Sequence, residues 1–453
     1  PVTTGLGPGS VLGSYRIVRE IGRGGMGIVY EAEQRGTRDF VKRVAIKVVR
    51  PNYASQTTFI ENFIGEAKLV ADLIHTNIVQ TYHLGETNGV CFIAMELIRG
   101  VNLEQFAQQL AEKRKQLPLE LAVFITSRIA RGLAYAHAKT GTDGKPLGIV
   151  HRDISFKNIM IGFEGDVKLT DFGIAKAVTH TSTRYQVRGK VGYMSPEQAR
   201  GEPIDGRTDL YAAGIILWEL LTGRQLFPQS EGADLIERVR HPAIDPPSSR
   251  APRVPPMLDQ IVLKALAPIQ EDRYPTGEAL RAALAGFLAS NREYVVTDAA
   301  KVSTFLHDLF DDDVARERAT RQELLEHYRE RLEENELRSS SERGAAVERA
   351  RQKAEVIAAM EMKLSGGEKT TDEQGKFREG EISGRILEQL AKNDTEKMIG
   401  QNIERWKILR KIGEGGMGRV FEAEHQDLGR HVAIKILHPV YSRTPEVVAR
   451  FRM

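Results

Sequence analysis

The stretch His151-Arg-Asp-Ile-Ser-Phe-Lys-Asn158, followed by Asp171-Phe-Gly173, decides the fold of this 453-residue chain. Asp171 lies eighteen positions after Asp153. Upstream lie a glycine-rich stretch that begins at Ile21 and a Val-Ala-Ile-Lys sequence that ends at Lys47, and downstream lies Ser195-Pro-Glu197. Five short motifs in this order across residues 15–290 form too specific a combination to arise by coincidence.

The glycine-rich stretch, Gly22-x-Gly24-x-x-Gly27-x-Val29, predicts a hairpin that binds phosphates. A dinucleotide fingerprint would need a helix directly after the glycines, whereas the two-residue alternation of a strand continues here. Glycine amides can approach anionic oxygens closely because no Cβ intervenes. Lys47 follows on a predicted strand and Glu66 on a predicted helix, so we expect an ion pair beside the phosphates; a surface salt bridge is the alternative.

Taken together, the motifs resemble those of the eukaryotic-type protein kinase family. The Gly-Gly-Met-Gly loop and the Tyr193-Met-Ser-Pro-Glu-Gln198 sequence are most similar to the bacterial serine/threonine kinase branch, since tyrosine kinases usually carry Trp at the position of Tyr193. The resemblance implies an α+β fold with a small β-rich N-lobe and a large, mainly α C-lobe. It also implies transfer of the γ-phosphoryl group of ATP to Ser or Thr hydroxyls of protein substrates in bacterial signalling, with Mg²⁺ as the second cofactor.

The resemblance further implies which residues carry this chemistry, mainly by positioning groups and neutralising charge. Asp153 would accept or orient the proton of the substrate hydroxyl, Asn158 and Asp171 would bind Mg²⁺, and Glu66 would hold Lys47 on the phosphates. The other implied ATP contacts are Ile21, Gly22, Arg23, Gly24, Gly25, Met26, Gly27, Ile28, Val29, Ala45, Met95 at the back of the adenine pocket, and the backbones of Glu96 and Ile98 at the adenine edge. Two structural positions are also implied, with Asp209 tying down the catalytic loop and Arg273 pairing with Glu197.

The chain departs from the family at two connected positions. Serine/threonine kinases normally have a lysine two residues after the catalytic aspartate, where this chain has Ser155, and a threonine where it has Lys190. Our hypothesis is that the Lys190 ammonium occupies the space vacated at Ser155, with Lys157 as a second candidate donor. The alternative is a pseudokinase that works as a nucleotide-binding scaffold, although decay of activity would not be expected to leave every other motif residue intact.

A cluster of hydroxyl side chains follows Asp171 in the segment that kinases use as a switch. Arg152, directly before the catalytic aspartate, is the cation that receives a phosphorylated loop in such enzymes. We therefore predict autophosphorylation in this loop. The candidate regulatory positions are Thr179, Thr181, Ser182 and Thr183.

Composition excludes several other classes of protein. Lys and Arg number 64 against 61 Asp and Glu, a net charge of +3, so neither nucleic acid nor an anionic membrane is an expected partner. The single cysteine, Cys91, excludes an internal disulfide and fits a cytoplasmic setting. The longest apolar run, Tyr211 to Leu221, is too short to cross a bilayer, although a membrane anchor outside this stretch of chain stays open.

Periodicity divides the chain into segments. Strand alternation dominates residues 15–100 and helical spacing dominates residues 101–290. Residues 291–365 are predicted to be a helical extension, either a connector packed on the large lobe or a weak coiled coil that supports self-association through residues 300–365. Residues 366–402 are linker-like.

The glycine-rich motif returns at Ile412-Gly-Glu-Gly-Gly-Met-Gly-Arg-Val420 and again leads to a lysine, Lys435. No catalytic aspartate follows before Met453, and about fifty residues bury too little apolar surface to fold alone. We predict that residues 403–453 begin a second, truncated kinase domain and that the chain is a fragment of a tandem-kinase protein. The alternative is a regulatory half-lobe that docks on the first kinase.

Overall fold

The computed structural model describes most of the first motif-bearing region and part of the second. Eight of the predicted site positions lie outside the described residues, namely Gly25, Met26, Glu66, Thr179, Thr181, Ser182, Thr183 and Lys190. The described residues are 6–24, 27–35, 41–49, 63–65, 67, 70–87, 89–141, 143–172, 191–228, 233–290, 292–319, 322, 326, 398–403, 406–415, 418–426 and 431–437.

One antiparallel sheet of six strands, in the order β1-β2-β3-β4-β6-β5, forms the small lobe. Helical backbone between β4 and β5 occurs at residues 63–65, 67, 70 and 71. The strands are β1 Val11–Leu12, β2 Tyr15–Arg23, β3 Gly27–Arg35, β4 Val41–Val49, β5 Thr81–Thr87 and β6 Val90–Met95.

Alternation along β3 gives the small lobe its core. Ile28, Tyr30 and Ala32 are 3% exposed or less and pack with apolar residues of β2, β4 and β6, whereas Val29 lies on the opposite face, across from Lys47 of β4. The Ile28 side chain lies in this core, so its predicted contact with ATP stays a prediction for its backbone alone. In a strand, neighbours in sequence point to opposite faces, so Ile28 and Val29 cannot both line the nucleotide face.

Helices make up most of the large lobe, together with a three-stranded sheet in the order β7-β8-β9. The strands are β7 Gly100–Asn102, β8 Ile159–Gly162 and β9 Val167–Leu169. The helices are α1 Leu103–Glu112, α2 Leu119–His137, α3 Pro196–Arg200, α4 Gly206–Thr222, α5 Ala233–Arg240, α6 Pro247–Arg250, α7 Pro256–Ala265 and α8 Gly277–Ser290. The two-lobe α+β fold implied by the resemblance is confirmed.

Helix α4 is the central element of the large lobe and is buried on all sides, as its apolar sequence predicts. The Asp205 side chain caps its first turn by accepting a hydrogen bond from Arg207 N, and Gly223, at φ +68°, ends it in the left-handed conformation. Among the described residues, no helix has the length and apolar composition needed to span a bilayer.

A ninth helix among the described residues, α9 Ala299–Leu309, packs on the large lobe. Val302, Leu306 and Leu309 lie on one face of it and are 2% exposed or less. One compact unit of the chain comprises Pro1–Phe310 and Asn402–Met453, and the other comprises Asp311–Gln401. The apolar face of residues 299–309 is thus buried, while the role of residues 291–365 as a connector or a coiled coil stays a prediction.

The second glycine-rich motif forms a four-stranded sheet in the order β10-β11-β12-β13. Val420 pairs with Lys435 here as Val29 pairs with Lys47 in the first sheet. The His425 ring contacts Trp406 at 4.7 Å and His83 of β5 at 5.4 Å between ring centroids. The strands are β10 Asn402–Ile403, β11 Trp406–Gly415, β12 Gly418–His425 and β13 His431–Leu437.

Candidate active site

The β2–β3 hairpin brings the first glycines to the open edge of the small lobe. Gly27 must be glycine for packing, since a Cβ there would lie 2.6 Å from the Val48 carbonyl oxygen. Gly22 and Gly24 have no such constraint, because their nearest neighbours would be 3.9 and 3.7 Å from an added Cβ. The protein's own packing does not require glycine at these two positions, which fits close approach by an outside group. The Arg23 guanidinium at the same edge pairs with both oxygens of Glu20.

Lys47 extends from β4 toward the aspartate that precedes Phe172. Its Nζ donates to Asp171 Oδ1 at 2.6 Å, and the two side chains are 17% and 34% exposed. Asp171 has φ +54°, in the left-handed region, where aspartate is tolerated better than most residues. The structure thus brings together two predicted site residues that lie far apart in the sequence.

The segment after β6 connects the lobes and forms the edge of the predicted adenine pocket. Met95 pairs with Ala45 of β4, and the Glu96 N–H donates to the Gln80 carbonyl at 2.8 Å. Only the Glu96 carbonyl therefore remains, with the Ile98 backbone, for the predicted adenine contacts. The Glu96 carboxylate forms an ion pair with Lys168 of β9 at 2.8 Å, a contact that the sequence interpretation missed. The other predicted contacts at this site are Ile21, which is 38% exposed, and Ala45, which is 4% exposed.

Asp153 and Asn158 are held together within the catalytic loop. Asn158 Nδ2 donates to the Asp153 carbonyl at 2.7 Å and to Asp153 Oδ2 at 3.0 Å. Because Nδ2 serves as this donor, Oδ1 is the atom that the Asn158 amide can offer to a cation. The spacing of five residues is explained by the 3₁₀ turn Phe156–Asn158, which folds the amide back onto the aspartate.

The buried His151 ring connects the catalytic loop to the segment that precedes Asp171. Burial lowers the pKa of its imidazole, so the ring is neutral at physiological pH. Its Nε2 must carry the proton, because Nε2 lies 3.1 Å from the Thr170 carbonyl, which can only accept, while Nδ1 accepts from Asp153 N at 3.3 Å. The same ring contacts Phe172 at 4.4 Å between centroids. One side chain thereby fixes the segments that carry Asp153 and Asp171.

Asp209 of α4 clamps the backbone of the same loop. It is 1% exposed and accepts hydrogen bonds from His151 N at 2.7 Å, Arg152 N at 2.8 Å and His137 Nε2 at 2.8 Å. Burial acts to raise the pKa of this carboxyl, but the hydrogen bond and charge of His137, together with the hydrogen bond from His151 N, outweigh it and lower the pKa. Arg152 has φ +62°, a strained value for arginine, so the clamp also holds a costly backbone conformation in place.

The donor set suits a magnesium ion held together with nucleotide phosphates. Asp171 supplies a carboxylate and Asn158 an amide oxygen, which are the hard ligands that Mg²⁺ prefers. Among the described residues, no group of three or more His, Cys, Asp or Glu side chains could hold a metal ion alone. A cation here would need additional oxygens from a ligand or water, as Mg²⁺ sites of this kind have.

Of the two positions that depart from the family pattern, the structure describes Ser155 but not Lys190. Ser155 is 6% exposed, and its carbonyl accepts from Asn158 N at 3.0 Å. Lys157, the second candidate donor, lies 3.5 Å from Glu104 Oε1 of α1, and both side chains are more than half exposed. Lys157 therefore pairs with Glu104 in this structure, and an ion pair so exposed contributes little stability.

Glu219 is a buried carboxyl that the sequence interpretation missed. The Tyr193 hydroxyl donates to its Oε2 at 2.7 Å and Leu226 N to its Oε1 at 3.1 Å. The bond from Tyr193 ties the 3₁₀ turn Val191–Tyr193, which directly follows Lys190, to α4. The available signal was an acidic residue within the otherwise apolar run Tyr211 to Leu221.

We expect Glu219 to make folding stability depend on pH. Burial raises its pKa to about 7, despite the opposing hydrogen bonds from Tyr193 and Leu226. A carboxyl with a raised pKa keeps its proton in the folded state while the unfolded chain has lost it, so its contribution to stability falls as pH rises from about 4.5 to about 7. The shift corresponds to a change on the order of 3 kcal/mol. Denaturant unfolding of wild type and Glu219→Gln between pH 5 and 8 should show the difference between them shrinking toward low pH, and a constant difference would contradict this.

The sequence that carries these residues is similar to a known family and to known proteins. Residues 15–328 match the family described as the protein kinase domain. The chain is 39% identical over 281 residues to the tyrosine-protein kinase MasK of Myxococcus xanthus, which covers 62% of this chain and 44% of that protein. It is 38% identical over 278 residues to the serine/threonine-protein kinase PrkC of Bacillus subtilis, which covers 60% of this chain and 40% of that protein.

A solved structure is similar over the same region. The crystal structure of a doubly substituted PknI kinase domain from Mycobacterium tuberculosis aligns with a TM-score of 0.50 and 25% identity. The alignment covers 62% of this chain and 99% of that one. The chain spans less than half the length of the two curated relatives, at 44% and 40%.

Proposed function

Because the chain belongs to the protein kinase family over residues 15–328, we propose that it transfers the γ-phosphoryl group of ATP to serine and threonine hydroxyls of proteins. One observation carries the proposal: Lys47 contacts Asp171 at 2.6 Å, Asn158 contacts Asp153 at 3.0 Å, and Thr170 N, next to Asp171, donates to the Asn158 carbonyl at 3.0 Å. A nucleotide-binding scaffold without activity would not need Asn158 to hold the Asp153 carboxylate at 3.0 Å. The pseudokinase alternative is therefore not favoured.

In the proposed mechanism, the residues of the chain position groups and balance charge. Asp153 accepts the proton of the substrate hydroxyl or orients it, and Asn158 keeps the carboxylate directed by its two hydrogen bonds. The Lys47 ammonium contributes positive charge where phosphate oxygens would lie. His151 and Asp209 hold the loop rigid, so little reorganisation is needed when the substrate binds.

ATP and Mg²⁺ are the cofactors that this arrangement would accept. Asn158 and Asp171 would bind the Mg²⁺, which neutralises charge on the phosphates. Gly22 and Gly24 would allow the hairpin backbone to approach the phosphates, and Val29 and Ala45 would contact the adenine ring. Lys47 and Asp171 are already in contact at 2.6 Å, which keeps the ammonium and the metal-binding carboxylate adjacent.

We further propose that the loop after Asp171 is a switch. Arg152 lies beside the catalytic aspartate and would receive a phosphate on Thr179, Thr181, Ser182 or Thr183. Its strained backbone is fixed by Asp209, so such a phosphate would act on a loop already anchored to α4. Self-association through residues 300–365 remains a separate proposal, and a cytoplasmic location remains a prediction.

Lys190 is proposed to supply the cation that Ser155 lacks. We expect Lys190→Ala to lower kcat by at least about tenfold, since one positioned charge on a transferring phosphoryl group is typically worth that or more. Ser155→Ala should leave kcat nearly unchanged. In the paired exchange Ser155→Lys with Lys190→Thr, much of the activity should return, although the new lysine must fit where Ser155 is 6% exposed. Full activity in Lys190→Ala would contradict the hypothesis that Lys190 supplies this cation.

The acceptor hydroxyl is either that of tyrosine or that of serine and threonine, because MasK is named a tyrosine kinase and PrkC a serine/threonine kinase. The test is incubation with ATP labelled at the γ-phosphate and a generic basic protein, followed by acid hydrolysis and separation of phosphoamino acids. We expect label on serine and threonine. Label on tyrosine alone would reverse the assignment, and no label at all would support the scaffold alternative.

A further inference from the structure

Helix α9 lies against the part of the large lobe that adjoins the predicted adenine edge. Phe305 contacts Phe106 of α1 at 6.2 Å and Phe310 contacts Phe163, in the turn after β8, at 6.4 Å between ring centroids. Phe106 is 1% exposed and Phe310 is 5% exposed, so both contacts are buried. The helix is therefore held over the β8–β9 turn by an apolar interface.

Polar contacts fix the helix in the same place. Gln109 Nε2 of α1 donates to the Leu309 carbonyl at 3.3 Å, and Lys301 Nζ lies 2.7 Å from Glu120 Oε1 at the start of α2. Gly165, at φ +88°, lets the β8–β9 turn approach the first turn of the helix, because a Cβ there would lie 1.9 Å from the Ala299 carbonyl oxygen. Only glycine combines this conformation with this distance.

A chain of two hydrogen bonds joins α9 to the segment between the lobes. Ser303 Oγ donates to the Phe163 carbonyl at 2.7 Å. The N–H of the same residue, Phe163, donates to the Arg99 carbonyl at 2.9 Å. Arg99 directly follows Ile98, whose backbone is one of the two proposed to face the adenine edge. The Ser303 hydroxyl is thus joined by two hydrogen bonds, through Phe163, to Arg99, the residue next to the proposed nucleotide contact.

We propose that Ser303 is a positioning residue for nucleotide binding, acting through Phe163 on the backbone of residues 98–100. The inference rests on the proposed function, because it assigns a role at the same nucleotide site. The segment between the lobes is irregular backbone, and its carbonyls and amides must be held by neighbours to keep a fixed geometry. Phe163 provides that support from one side, and Ser303 holds Phe163 from the other.

Ser303→Ala, compared with Thr304→Ala, tests the proposal. Thr304 is the matched control, because its hydroxyl lies on the same helix but donates to Ala300 O within that helix at 2.9 Å. Ser303→Ala should raise KM for ATP, and the Kd of Mg-ATP by calorimetry, about threefold to tenfold, the size expected for one hydrogen bond. We expect kcat and KM for the protein substrate to stay within about twofold, and Ser303→Thr to restore ATP affinity.

The outcomes separate this inference from the proposed function. ATP affinity that is the same in wild type, Ser303→Ala and Thr304→Ala, beside an active wild type, overturns the inference alone. A wild type that binds no ATP overturns the proposed function and the inference with it. Equal loss of kcat and of ATP affinity in Ser303→Ala, with a lowered unfolding temperature, also counts against positioning, because general destabilisation explains it.

Discussion

Asp153→Asn is expected to lower kcat about 10²–10⁴-fold, the contribution typical of a positioned general base. The amide has nearly the same shape as the carboxylate but cannot accept the substrate proton. Asn158 Nδ2 contacts Asp153 Oδ2 at 3.0 Å. The same nitrogen also donates to the backbone carbonyl of Asp153 at 2.7 Å, and the substitution leaves that hydrogen bond unchanged. The loop should therefore stay folded, and the Kd of Mg-ATP should stay within about twofold of wild type.

Steady-state transfer of labelled phosphate and calorimetric binding of Mg-ATP provide the two measurements. Asp143→Asn is a suitable control, because Asp143 is an exposed aspartate whose side chain accepts from Lys145 N at 3.1 Å, away from the catalytic loop. It should behave as wild type in both assays. Retention of more than about a tenth of the wild-type kcat in Asp153→Asn would exclude the assigned role.

Arg273→Ala is expected to destabilise the large lobe by about 3–5 kcal/mol, the usual cost of removing one partner from a buried ion pair. The Arg273 side chain is 0% exposed, and two of its nitrogens contact the two Glu197 oxygens at 2.8 Å each. Burial acts to raise the pKa of Glu197, but these bonds outweigh it and lower the pKa to about 2. Without the guanidinium, a carboxylate 2% exposed would remain in the interior with Thr208 as its side-chain donor.

Denaturant unfolding at pH 7 measures this loss. The control is Arg281→Ala, which removes an exposed ion pair with Glu278 and should cost no more than about 1 kcal/mol. An equal loss of unfolding free energy in the two variants would contradict the stabilising role of the buried ion pair between Glu197 and Arg273. Activity should fall with Arg273→Ala only as far as the folded fraction falls.

The parts of the fold that are local in sequence could be predicted from it. Alternation along β3 and helical spacing in α4 are set by which face is buried, and both were recognisable before the structure. Asn158 was named in advance by its motif spacing alone, whereas the 3₁₀ turn that brings it to Asp153 required the structure. Ile28 shows the limit of reasoning by motif, because the family pattern covers the whole hairpin while the pleat sends neighbouring side chains to opposite faces.

Contacts between distant segments could be predicted where a family motif specifies them, as for Arg273 with Glu197, but not elsewhere. Periodicity predicted a helical extension over residues 291–365, but not that Phe106 and Phe163 would contact α9, since the partner of a helix is set by tertiary packing. The same holds for Glu219, whose position in an apolar run marked it as unusual without identifying Tyr193 as the donor. Phosphate-binding glycines could be predicted as a motif, whereas the room beside Gly22 and Gly24 required the structure.

The central claim is that Lys47, beside the first glycine motif, belongs to the phosphotransfer site formed with Asp153, Asn158 and Asp171, and that Lys435 takes no part in transfer at that site. The most direct test is the rate of γ-phosphate transfer in Lys47→Met beside Lys435→Met, since each lysine pairs with the equivalent valine of its own hairpin. Lys47 lies 2.6 Å from Asp171, so its loss should lower the rate at least about 10²-fold, as expected for a charge positioned on the transferring group. Lys435→Met should leave the rate unchanged. Equal losses in the two variants, or full activity in Lys47→Met, would contradict the account.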